Sequence, residues 1–152
     1  MVLGFSLQAK HKKYKKQHKS GTGIVSVRLH RPGCFGRCPA YIIDINSAGL
    51  ATYSALRNNA DTGEFTKNAG TKKAEEIFNQ ILATRIDTCM NEYKSPSPDL
   101  PGLIITVTYK DSVKTISNAN YGSPVLRLLA EKMDAIVGGK TDKTWKKVKE
   151  YK

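Results

Sequence analysis

The feature that most restricts the fold is a change of apolar period along the chain. From residue 24 to residue 56, apolar side chains recur at every second position in three short runs. Residues 24–30 carry Val25, Val27 and Leu29 on one side, residues 40–46 carry Tyr41, Ile43 and Ile45, and residues 50–56 have Tyr53 at their centre. A period of two is that of a half-buried strand. Ser47-Ala48-Gly49 is a tight turn, so these runs form an antiparallel meander, with a fourth short strand expected at 63–66. From residue 71 the period lengthens. Ala74, Ile77, Phe78, Ile81 and Leu82 follow helical spacing, and Thr71 is placed to cap the helix. A Pro- and Ser-rich loop over 93–102 leads to two more strands, 103–109 and 112–117, turning at Lys110-Asp111. Ser123-Pro124 then opens a second helix whose stripe is Val125, Leu128, Leu129, Met133 and Ile136, ended by Gly138-Gly139. The order of meander, helix, hairpin, helix lacks the regular alternation of a doubly wound parallel sheet. It predicts an α+β fold: a single antiparallel sheet with the helices packed on one face.

The chain of 152 residues suits one domain with a real core. No apolar run approaches the roughly 20 residues needed to cross a bilayer as a helix. The formal charge of +12 is unevenly spread. Residues 1–20 hold six lysines and no acid, and residues 140–152 hold six lysines against Asp142 and Glu150. The basicity therefore lies at the two ends, and the part between them is close to neutral. The division expected is a basic lead-in without structure at 1–23, a domain at 24–139, and a basic tail at 140–152. That tail is expected to form a short helix showing Trp145 and Val148 on one side. Trp145 is read as docking on the domain's own core, with a membrane-surface helix as the alternative. Residues 1–9 are apolar up to Lys10 and read as the remnant of an export signal or as a plain disordered start.

The densest segment is Gly33-Cys34-Phe35-Gly36-Arg37-Cys38-Pro39, between the first two strands. In an extended chain, Cys34 and Cys38 would lie ~13 Å apart, beyond disulfide reach. Gly33 and Gly36 allow the backbone to fold back, which makes a bridge feasible. A structural disulfide stapling this loop is the first reading. Reduced inert thiols, redox chemistry and metal ligation stay open beside it. Cys-x-x-Cys redox sites open a helix, and neither that spacing nor that context is present. A metal site would need further ligands, for which only Cys89 and His30 offer themselves, so no metal is assigned.

Together with Ala40-Tyr41, Gly49-Leu50-Ala51-Thr52-Tyr53 and Asp99-Leu100-Pro101, this segment resembles a bacterial family of unknown function, domain of unknown function 6438. The family's signature reads Gly-Cys-x-Gly-x-Cys-Pro-x-Tyr, and the resemblance spans about residues 24–137. It implies export, since members are commonly exported and often lipoproteins of Gram-negative bacteria; this chain shows no lipid-accepting cysteine near residue 1. It brings no activity and no catalytic residues to carry over.

The remaining candidates are sparse. Glu75 and Glu76 are adjacent on the first helix and diverge, as neighbours on a solvated face do. Ser54, Ser95, Ser97 and Ser123 lie in no nucleophile elbow. Phosphate-cradling glycine strings are absent, and no cofactor is expected. His11 and His18 fall in the lead-in, and His30 ends a strand. The binding residues named are Phe35 and Arg37 on the loop, with Tyr41 and Tyr53 on neighbouring strands. Three classes of function follow. The first is a non-enzymatic exported module, periplasmic or extracellular, that binds a protein or envelope partner; the cytoplasm is the alternative location. The second is a thiol-dependent redox enzyme using Cys34 or Cys38, its thiolate favoured by Arg37. The third, ranked behind both, is nucleic-acid binding through the lysine-rich tails.

Overall fold

The computed structural model describes residues 22–137 and 143–151. The lead-in over 1–21, with His11 and His18, and the Gly138-Gly139 stop lie outside the described residues. Seven strands and two helices follow in the order β1 (Ile24–Arg31), β2 (Tyr41–Asn46), β3 (Leu50–Ala55), β4 (Gly63–Asn68), α1 (Thr71–Ala83), β5 (Ile104–Tyr109), β6 (Val113–Ile116), α2 (Pro124–Val137) and β7 (Lys146–Lys149). They form one antiparallel sheet in the spatial order β6-β5-β1-β2-β3-β4-β7. This is the α+β architecture that the apolar periods predict.

The inward row Ile116, Ile105, Leu29, Ile43, Tyr53 and Phe65 runs across six strands in register. A second row contains Val107, Val27, Ile45 and Ala51. Both helices add to the same buried cluster, through Ile77, Phe78 and Ile81 from α1 and Leu126, Leu129 and Met133 from α2. The helices therefore share one face of the sheet. The opposite face is polar, and on it the Arg28 guanidinium grips the Asp44 carboxylate across β1 and β2 with bonds of 2.8 and 3.2 Å.

Several local expectations are corrected. In β1 the residues facing inward are Ile24, Val27 and Leu29, while Val25 is exposed. A bulge against β5 between Ile24 and Ser26 shifts the alternation by one residue. On α2, Leu126 and Ala130 are buried where Val125 and Leu128 were expected, because the helix is rolled slightly about its axis. On α1, Leu82 is exposed, and Thr71 does not cap the helix. Gly70 stands at the cap position with φ 86°, and its N–H donates to the Asn68 side chain at 3.0 Å. The basic tail forms no helix over 146–149 and is not separate from the domain. It supplies β7, whose pairing satisfies backbone groups that would otherwise leave β4 as a bare edge.

Candidate binding site at the stapled loop

The last rung between β1 and β2 pairs Arg31 with Tyr41. Asp134 of α2 reaches down onto both. It pairs with the Arg31 guanidinium at 2.6 Å and accepts the Tyr41 hydroxyl proton at 2.9 Å. Burial, reinforced by the neighbouring Asp134 charge, pushes the Tyr41 phenol far above its ordinary range. Tyr53 is raised for the same two reasons, burial first. The Tyr53 hydroxyl donates to Asn59 at 2.9 Å, and the two tyrosine rings lie 5.6 Å apart. Tyr41 and Tyr53 are thus half-buried, with their hydroxyls committed inside the protein.

Beyond that rung, residues 32–40 leave the sheet. Gly33, at φ 90°, turns the chain back, and Cys34 and Cys38 are joined by a disulfide with their Cα atoms 5.4 Å apart. The staple rests on the segment that follows β3. Asn58, itself left-handed at φ 58°, donates its amide to the carbonyls of Gly36 (3.1 Å) and Cys38 (3.2 Å). The Arg57 guanidinium donates to the Cys34 carbonyl at 3.4 Å, and the Asn59 amide donates to the Ala40 carbonyl at 2.8 Å. The loop's inward carbonyls are therefore consumed, and its side chains face outward. Phe35 is 89% exposed, and Arg37, two residues on, is exposed as well.

A depression of about 410 Å³ opens between this loop and the 98–100 turn, walled by Pro32, Phe35, Arg57, Asn58, Pro98 and Leu100. An exposed aromatic ring, apolar prolines and a guanidinium without a carboxylate partner among the described residues make a surface suited to recognition. Of the four binding residues expected from the sequence, Phe35 lines this depression, while Arg37 is exposed on the loop but is not among the lining residues. Tyr41 and Tyr53 instead brace its stem. Sequence reasoning missed Asp134, Arg57 and Asn58, and it met Leu100 only as part of the Asp99-Leu100-Pro101 match; of the three, only Asn58, in the Asn58-Asn59 pair after a strand, carried a turn signal.

With both sulfurs in the disulfide, neither Cys34 nor Cys38 offers a thiolate in this structure; Cys89 is the free cysteine. Among the described residues, no group of three or more His, Cys, Asp or Glu is placed to hold a metal ion. No helix among them is long and apolar enough to cross a membrane.

The arrangement defines a two-layer α+β domain that carries a disulfide-stapled loop at the end of its first hairpin. The chain belongs to the family described as a domain of unknown function (DUF6438), whose model matches residues 25–137. No curated protein matches it.

Proposed function

We propose that this domain is a non-enzymatic binding module of the bacterial cell envelope, working outside the cytoplasm, and that the stapled loop is its recognition element. The observation that carries the reading is Phe35, 89% exposed on a loop fixed by a disulfide and by three side-chain bonds from Arg57 and Asn58. A large ring held out in water gains free energy when a partner covers it, and a loop already rigid loses little entropy on binding. Arg57 lines the same depression as the ring, Arg37 is exposed on the same loop, and two guanidinium groups suit an acidic partner surface. The disulfide favours an oxidising compartment, which is the basis for placing the domain outside the cytoplasm.

The test is photo-cross-linking in the producing cell, with p-benzoylphenylalanine replacing Phe35 or, as control, the exposed Val113 of β6. A discrete adduct at position 35, lost when Arg37→Glu is added and absent at position 113, is the expected result. Equal and diffuse cross-linking at both positions would overturn the reading.

A further inference from the structure

We propose that the outer edge of β4 is a docking groove for an extended segment of a partner protein, an aromatic residue followed two positions later by lysine. The segment would add antiparallel to β4 in place of β7. This goes beyond the stapled-loop reading and uses a different part of the molecule.

The groove has three built features, each read from the segment that occupies it now. Its floor is aromatic: Tyr53 lies 6.2 Å from Phe65, and Trp145 packs on Tyr53 at 6.1 Å. Its rim carries one acid, Asp61, which receives the Lys147 ammonium at 2.7 Å, while that ammonium also stands 5.5 Å from the Phe65 ring. Its far end is hollow at Gly63, where any Cβ would run into the Lys149 carbonyl oxygen, and the adjacent Thr62 hydroxyl donates to the Tyr151 carbonyl at 3.4 Å. Between these points β4 offers its backbone groups, as in recognition by strand addition. An aromatic side chain, a lysine at the second position after it, and close backbone approach at Gly63 are what the groove selects.

The resident strand is built to be replaced. All four residues of β7 are exposed, including Val148, so the hold of this segment on the core rests chiefly on Trp145, which precedes the strand and packs against the core. Its pairing with β4 is interrupted by a register shift between Glu64 and Phe65. Its ion pairs are at the surface, where water screens them. Short, exposed, irregularly paired segments occupy the low end of local stability. The match to the family model ends at residue 137, so β7 lies outside the matched residues, and within them β4 is the edge of the sheet. Tethering gives the resident a local concentration on the order of millimolar, so a partner binds well only when its segment fits better or the resident is weakened.

Trp145 is the chain's one tryptophan. A full-length Trp145→Ala chain therefore has none, and a synthetic peptide of residues 143–151 brings the only tryptophan to the mixture. The expected result is a saturable blue shift of peptide emission. With a dye-labelled peptide, anisotropy should show affinity for Trp145→Ala at least tenfold above that for the wild-type chain, whose resident competes. Adding Gly63→Val should abolish binding. Adding the exposed Asp61→Asn, which leaves the core untouched, should weaken it several-fold even if Gly63→Val fails to fold. No shift with Trp145→Ala, or affinity indifferent to both groove variants, would overturn the proposal. A wild-type dimer that forms with rising concentration and is lost in Asp61→Asn would assign the groove to a second copy of this chain and overturn the partner reading.

Discussion

Tyr41 and Asp134 are 93 residues apart in sequence, and the tyrosine hydroxyl donates to the carboxylate at 2.9 Å. The same carboxylate pairs with Arg31 directly across the rung, so one side chain of α2 clamps both strands at the point where they diverge into the stapled loop. The stapled loop is thereby set on a stem whose two strands are tied together by Asp134.

Removing the clamp is expected to be destabilising in a graded way. Asp134→Ala leaves Arg31 half-buried without its carboxylate and should lower unfolding free energy by about 2–3 kcal/mol. Asp134→Asn retains an acceptor for Tyr41 and should lose less. Urea denaturation of the two variants checks the order; equal losses would show that charge plays no part.

Alkaline stability should report on Tyr41. In the unfolded chain its phenol ionises near the ordinary value of 10.0, while burial in the folded state raises it. A raised pKa gives stability that is fully present below the unfolded value and is lost as pH rises through the folded one. The contribution of Tyr41 should therefore be constant up to about pH 10 and be lost above it, so the alkaline fall in stability should be shallower in Tyr41→Phe. Denaturation midpoints measured across that range decide the matter.

The staple should order the loop more than it stabilises the domain. Its ring is short, so the chain-entropy contribution is about 2 kcal/mol at most. Cys34→Ser combined with Cys38→Ser should accelerate amide exchange at residues 33–38 while β1, β2 and β5 stay protected. Asn58→Ala, which releases the Gly36 and Cys38 carbonyls, should do the same to a lesser degree. Matching acceleration throughout the sheet would mean that the staple is part of the core.

Thiol chemistry gives a direct count. Intact protein isolated without reductant should take up one alkyl group, at Cys89, and three after reduction. Three groups before reduction would remove the staple.

Phe35→Ala should change unfolding free energy by no more than about 0.5 kcal/mol, because the ring touches water on nearly all sides. A large loss of stability would mean that the ring is packed in solution.

Much of this architecture is legible in the residues, and the exceptions have identifiable causes. Period-two runs locate β1 to β3, and helical spacing locates α1 and α2, because burial on one face dictates both. Val25 is misread because a bulge depends on the partner strand β5, which no local pattern reveals. Leu128 and Leu82 are misread because the roll of a helix is set by what it packs on. The segment holding β7 reads as a charged tail because strand addition at an edge draws on the backbone of β4 rather than on its own apolar content. The loop announced itself through Cys34, Cys38 and its glycines. Its supports Arg57, Asn58 and Asp134 did not, since each acts through a contact distant in sequence.

The position of β1 between β5 and β2 has a consequence for how the chain is made. Its first partner, β2, follows at once, but its second, β5, pairs Ile24 with Tyr109 only after α1 has been synthesised. During synthesis the meander of β1 to β4 can close by local hairpins while one side of β1 waits, its backbone open to wrong partners. The first of the described strands to emerge is thus completed only when β5 docks beside it, a pairing distant in sequence of the kind that closes slowly.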